Sequence, residues 1–115
     1  MHPKTPKLLE DIRDAAAFIE ASAEGRALEE FLVDRMLRQA IERNFEIIGE
    51  AINRLMHVDC EIADRIEHAR TIVGFRNALA HGYDLIDDRR VWETILRDIP
   101  PLRVQIEALI ASGGT

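Results

Sequence analysis

The spacing of apolar residues along the chain predicts a bundle of helices. Thr5-Pro6 offers an N-cap followed by proline at the first helical position, and apolar residues from Leu8 to Ile19 then recur on one face. We therefore expect a first helix over about residues 6–23, ended by Gly25. Residues 27–56 are predicted to form one long helix whose wide apolar arc suits the centre of a bundle, an oligomer interface, or both.

Two shorter helices are predicted next. Asp59 can cap a third helix over about residues 60–68, and Thr71 can cap a fourth helix that fails at Gly82. The fourth helix turns a set of apolar residues inward, namely Ile72, Val73, Phe75, Leu79 and Ala80. The chain up to Gly82 thus contains four predicted helices.

Asp87 or Asp88 can cap a last helix, whose apolar positions continue in steps of three, four and seven to Ile110. Pro100-Pro101 should kink or briefly break this helix rather than end it, because each proline removes a backbone donor. No segment alternates with the period of a strand. We therefore expect an all-α bundle of four to five helices, a single domain over residues 1–115 with a flexible tail from about residue 112.

Composition narrows the class of protein. The chain has 115 residues, of which 47% are hydrophobic and 31% charged, a balance typical of a folded domain. No apolar run approaches the roughly 18–20 residues needed to span a bilayer, and the N-terminus lacks the apolar stretch of a signal peptide. We therefore expect a cytoplasmic protein. Cys60 is the single cysteine, which excludes an intrachain disulfide.

The net charge of −6 argues against nucleic-acid binding over a wide surface, so any such contact should be local. Four arginines either extend a local positive rim or belong to an ordinary charged surface: Arg35, Arg38, Arg89 and Arg90. Glu42, Glu46 and Glu50 share one helix face. That stripe is typical of a solvated or arginine-paired face, with a magnesium site as the alternative.

The candidate chemistry lies in residues 72–83, where a guanidinium, a carboxamide, an imidazole and a phenol occur close together: Arg76, Asn77, His81 and Tyr83. A sharp turn at Gly82 would bring His81 and Tyr83 round to the side of Arg76. Arginine can grip a phosphate and stabilise the charge of its transition state, and histidine can exchange the required proton. In the structural alternative, Arg76 pairs with a carboxylate, His81 interacts with the helix dipole and Tyr83 packs at the rim.

The string Arg76-Asn77-(x)3-His81-x-Tyr83 resembles the Arg-(x)4–6-His signature of HEPN-domain ribonucleases, in which a polar residue follows the arginine, and its extension to tyrosine resembles the HepT toxin subfamily. Three further blocks are similar to that subfamily and occur in the same order, so the resemblance covers nearly the whole chain. They are residues 40–51 (AIERNFEIIGEA), residues 72–75 (IVGF) and the closing Trp92-(x)5-Asp98-Ile-Pro100-x-Leu102.

This resemblance implies a HEPN-like bundle and the toxin of a two-gene toxin–antitoxin pair, acting on RNA without a metal or other cofactor and leaving a 2′,3′-cyclic phosphate. Arg76 and His81 would be the catalytic pair and Asn77 their polar companion. The antitoxin would be a minimal nucleotidyltransferase that silences the toxin by transferring AMP from ATP to Tyr83. The resemblance also implies a two-fold homodimer with both motifs facing one cleft.

A second hypothesis is that the protein has the same fold but no catalytic activity. In that case the chain is a helical partner of a nucleotidyltransferase, or binds a nucleotide itself, and the motif serves ligand binding only. Cleavage of RNA by the purified chain discriminates the two hypotheses.

Overall fold

The computed structural model describes residues 1–80 and 87–113, apart from the side chains of Arg76, Leu79 and Ala80. These parts of the chain form helices alone, which confirms the predicted all-α class. In chain order the helices are α1 (Thr5–Ala23), α2 (Leu28–Val33), α3 (Arg35–Val58), α4 (Cys60–Asp64), α5 (Ala69–Ala80), α6 (Asp88–Arg97) and α7 (Ile99–Ser112). None of them is both long enough and apolar enough to cross a bilayer.

The long helices lie side by side in the order α7, α1, α3, α5. Helix α3 therefore has α1 on one side and α5 on the other, which confirms its predicted central place and accounts for its wide apolar arc by packing within one chain. The largest fully buried side chains come from five of the helices and form one core: Leu9, Ile12, Ile19, Phe31, Ile41, Phe45, Ile48, Ile52, Leu55, Ile95, Ile99 and Ile106.

The start of α1 is tied to the far end of α3. Thr5 is the first residue of α1 rather than its predicted N-cap, and its side chain is completely buried. The Thr5 hydroxyl donates to Asp59 Oδ2 at 2.6 Å, and the His2 backbone N–H donates to the same oxygen at 3.0 Å. These two donors, the hydroxyl first, hold the pKa of the Asp59 carboxyl below its ordinary value of 3.8.

The prediction of one helix over residues 27–56 is wrong, because the chain breaks at Asp34. The Asp34 backbone is extended, with φ −99° and ψ 95°, and its carboxylate accepts from Leu37 N at 3.0 Å as an N-cap of α3. Arg38 reaches back to the end of α2 and donates to Phe31 O at 3.2 Å and Leu32 O at 2.6 Å. Both open helix ends therefore have side-chain partners, which stabilises the break.

The break also changes which side chains are buried. Val33 and Met36, on either side of Asp34, are 84% and 83% exposed instead of continuing the apolar arc. Phe31 is completely buried, and its ring lies 5.2 Å from that of Trp92 in α6. Helix α2 thus packs against α6 through an aromatic pair.

The third helix ends earlier than predicted, and the fourth begins earlier than predicted. Helix α4 ends at Asp64 instead of about residue 68, and α5 begins at Ala69 rather than after Thr71. Between them, His68 adopts a left-handed backbone with φ 61°, a conformation that interrupts a right-handed helix. Asp59 precedes α4 as predicted, but its carboxylate binds Thr5 and His2 instead of capping that helix.

The prediction for the last helix is confirmed. The Asp87 carboxylate accepts from Arg89 N at 2.9 Å and caps α6. A brief break at Asp98 separates α6 from α7, and Pro100 lies in the first turn of α7, where its missing N–H is not needed. Leu96 departs from the predicted stripe, since its side chain is 60% exposed.

One seam of the bundle is open. Helix α5 packs mainly on α3, whereas α6 and α7 pack on one another and on α1, so a groove of about 1300 Å³ separates α5 from α6 and α7. Gln105 of α7 crosses one end of this α5–α7 groove. Its side chain accepts from Glu67 N at 2.9 Å and donates to Arg65 O.

Candidate functional site

Helix α5 carries the first half of the candidate site. Arg76 and Asn77 lie in its last two turns, and the Asn77 side chain is exposed. His81, Gly82 and Tyr83 lie outside the described residues, as does the predicted end of the helix at Gly82. The predicted meeting of Arg76 with His81 therefore stays a prediction.

The position of α5 is set by apolar contacts with α3. The Phe75 ring, next to Arg76 in the chain, lies 5.0 Å from the Phe45 ring at an interplanar angle of 67°, an edge-to-face arrangement. Ile72 is buried one turn earlier. These contacts fix how far along α3 the Arg76-Asn77 pair lies.

The start of α6 is also fastened to α3. Asp87 caps α6, and Asp88 Oδ2 lies 3.7 Å from Arg38 Nε. The segment that contains His81 and Tyr83 thus joins Ala80, at the end of a helix that packs on α3, to Asp88, whose side chain pairs with Arg38 of α3. The sequence left open whether Arg38 extends a positive rim or belongs to an ordinary charged surface. In the structure it caps α2 and pairs with α6.

The three carboxylates of the acidic stripe on α3 have different surroundings. Glu46 pairs with Arg43 at 3.3 Å and Glu50 pairs with Arg54 at 2.9 Å, as expected for an arginine-paired helix face. Glu42 is half-buried, and this burial raises the pKa of its carboxyl above 4.5. Asp88 raises that pKa further, while Arg38 opposes the shift.

Sequence reasoning named Arg90 as a candidate for a positive rim, but it missed Arg97 and the wall that the two arginines form beside the site. Arg90, Thr94 and Arg97 recur at steps of four and three on α6, and all three line the α5–α7 groove. The spacing alone could have identified this polar face of the helix. That it faces α5 across a gap depends on packing between distant segments.

Comparison with known proteins relates residues 12–109 to the ribonuclease HepT-like family, a stretch that contains all four motif residues. The chain is 35% identical over 108 residues to a Caldanaerobacter subterraneus protein provisionally named an RNase, covering 93% of this chain and 96% of that protein. It is also 35% identical over 101 residues to a Thermococcus cleftensis protein named as a probable ribonuclease HepT, with 88% and 91% covered.

A Methanocaldococcus jannaschii protein provisionally named an RNase is 31% identical over 84 residues, covering 71% of this chain and 67% of that protein. No solved structure was found to match the chain. The family match covers most of the chain, and the first two relatives align over nearly their full lengths. On these grounds the chain belongs to the HepT-like family.

Proposed function

We propose that this protein is an endoribonuclease that needs no metal and uses Arg76 and His81 as its catalytic pair. The observation that carries the proposal is the HepT-like match over residues 12–109, because the Arg76-Asn77-(x)3-His81-x-Tyr83 string lies inside it. Relatives named as ribonucleases support RNA as the substrate class. The protein acts in the cytoplasm, as a single helical domain.

In the proposed reaction the 2′-oxygen of a ribose attacks the adjacent phosphorus, and the bond from phosphorus to the 5′-oxygen of the next nucleotide breaks. His81 accepts the 2′-hydroxyl proton or delivers a proton to the leaving oxygen. Arg76 stabilises the additional negative charge on the phosphate in the transition state, and Asn77 orients the reacting groups. The products are a 2′,3′-cyclic phosphate and a 5′-hydroxyl.

We further propose that the protein is the toxin of a toxin–antitoxin pair. A cognate minimal nucleotidyltransferase acts as the antitoxin, transferring AMP from ATP to the Tyr83 hydroxyl with release of pyrophosphate. The added AMP group brings bulk and negative charge to the place where RNA must bind, so it blocks the substrate.

The proposed active form is a homodimer in which two motifs share one cleft. Light scattering should give about twice the chain mass of 13.1 kDa for the purified protein. A mass of one chain in solution would contradict a dimer.

A cleavage assay tests the nuclease. The purified chain should cleave single-stranded RNA in EDTA, and His81→Ala should lower the rate roughly 10²- to 10⁴-fold. Arg76→Ala should have a similar effect, whereas Arg70→Ala, an exposed arginine of the same helix, should not. Circular dichroism should confirm that every variant is folded.

Intact RNA after incubation with the unmodified wild-type chain would contradict the nuclease proposal and favour a non-catalytic partner of a nucleotidyltransferase. For the proposed switch, the intact mass after incubation with the antitoxin and ATP should rise by one or more AMP groups. Tyr83→Phe should abolish the gain, because it removes the accepting oxygen.

A further inference from the structure

The α5–α7 groove has a composition that suits an elongated, negatively charged ligand. Its volume of about 1300 Å³ exceeds the roughly 300–1,000 Å³ of most small-molecule pockets. The apolar side chains that line it and keep accessible surface include Phe75, Pro101 and Val104, while one wall carries Arg90 and Arg97. The groove thus combines an apolar surface for flat rings with cations for phosphates.

The two arginines of this wall are available to a ligand. Arg90 is exposed and makes no ion pair with any other residue that the structure describes. Among the residues that the structure describes, Arg97 pairs only with its neighbour in the chain, Asp98, at 3.2 Å, and its side chain is 73% exposed. Surface pairs of this kind contribute little free energy, so a phosphate can replace the carboxylate.

The distribution of charge along the chain favours the same face. Residues 1–64 contain eight basic and fourteen acidic residues, whereas residues 65–104 contain seven arginines and six acidic residues. Residues 65–104, which include both walls of the groove, therefore contribute nothing to the net negative charge of −6. An anionic polymer meets less repulsion here than on α1–α4.

We propose that the α5–α7 groove binds a short stretch of single-stranded RNA, with bases against the apolar side chains and phosphates on Arg90 and Arg97. This combination of a cationic rim and an aromatic surface is how proteins bind single strands without reading their sequence. The proposal rests on the nuclease function above, since it describes how the substrate is held beside the helix that carries Arg76.

Gly74 allows a test that leaves the fold intact. It lines the groove from the middle of α5, and a Cβ atom built there meets nothing within 4 Å in the part of the chain that the structure describes. The Cβ of Gly74→Leu therefore has open space, its remaining carbons extend into the groove, and the substitution should favour the helix. Ala17→Leu is the matched control, because Ala17 is an exposed small residue on α1.

RNA affinity is measured by fluorescence anisotropy with a labelled 12-nucleotide single-stranded RNA in EDTA, using full-length chains that carry His81→Ala to prevent cleavage. Gly74→Leu should weaken binding about tenfold, equivalent to roughly 1.4 kcal/mol. The plot of log K against log salt should become shallower by about 0.7 for each arginine removed in Arg90→Ala and Arg97→Ala.

Arg13→Ala is the control for the arginine variants. Arg13 pairs with its neighbour Asp14 at 3.0 Å, as Arg97 does with Asp98, and does not line the groove. It should leave both the affinity and the salt slope unchanged. Unaltered affinity and slope in folded Gly74→Leu and in both groove arginine variants would overturn the proposal.

The outcomes separate this proposal from the nuclease proposal. Cleavage by the wild-type chain together with normal binding by the groove variants would refute the groove and leave the nuclease intact. Weak RNA binding by the groove variants, together with no cleavage by the wild-type chain, would refute the nuclease and leave the groove proposal intact. A change in oligomeric mass in Gly74→Leu with unchanged RNA affinity would make the groove a protein interface and overturn RNA binding there.

Discussion

Replacing Thr5 with valine removes one hydroxyl from a completely buried position and keeps the shape of the side chain. That hydroxyl donates at 2.6 Å to Asp59 Oδ2, an acceptor that carries charge. Hydrogen bonds to charged groups contribute roughly 1.5–3 kcal/mol, so Thr5→Val should lower the free energy of unfolding by about 2 kcal/mol. For a domain of this size, that corresponds to a fall in Tm of roughly 10 °C.

The dependence on pH identifies the carboxylate as the cause. Because the pKa of Asp59 is lowered in the folded state, its stabilising contribution is present above its unfolded value of 3.8 and disappears as the pH falls through the folded value. The gap in stability between wild type and Thr5→Val should therefore be full at pH 7 and narrow below about pH 3.8.

Urea unfolding, followed by circular dichroism at several pH values, measures this gap. Thr94→Val is the matched control, because the Thr94 hydroxyl donates at 2.9 Å to the Arg90 carbonyl of its own helix and should matter little. A loss below about 0.5 kcal/mol for Thr5→Val, or a gap independent of pH, would refute the reasoning.

Three other substitutions probe the scaffold. Arg38→Met should lower the free energy of unfolding by about 2 kcal/mol, because it leaves two carbonyls at the end of α2 without their donor. Arg35→Met, at an exposed position, should be nearly neutral, and chemical unfolding compares the two variants. Glu42→Gln should raise the Tm at pH 7 and leave it unchanged below about pH 4.5, since a raised pKa makes the ionised form unfavourable in the folded chain. Ile95→Ala should lower the free energy of unfolding by about 3 kcal/mol, because the Ile95 side chain is 2% exposed, whereas Leu96→Ala should change it little, because Leu96 is 60% exposed.

Local spacing predicted most of the fold. The repeat of apolar residues placed α1 and the α6–α7 pair, and it identified nearly all of their buried side chains, because burial on one face of a helix follows the helical period. It failed at Asp34, where a polar cap and the reach of Arg38 back to α2 outweigh a continuous apolar pattern. The Thr5–Asp59 bond joins residues 54 positions apart, which no local pattern reveals.

The candidate site divides in a similar way. The residue types and their order in residues 76–83 were sufficient for the resemblance, and the family match over residues 12–109 confirms it. The distance between the guanidinium and the imidazole depends on the path of the chain after Ala80. The groove depends on α5 and α7 failing to pack together, which is a property of the whole bundle.

Among the residues that the structure describes, α5 packs mainly on one neighbour, α3, so its outer face, turned away from α3, takes little part in core packing. Substitutions of core residues packed between α1, α3 and α7 should lower the amount of folded protein. Substitutions on the outer face of α5 should change the chemistry of that surface and leave the fold intact. The outer face of α5 can therefore vary in sequence while the architecture is kept. Whether a substitution lowers the amount of folded protein therefore shows if that position belongs to the core or to the outer face of α5.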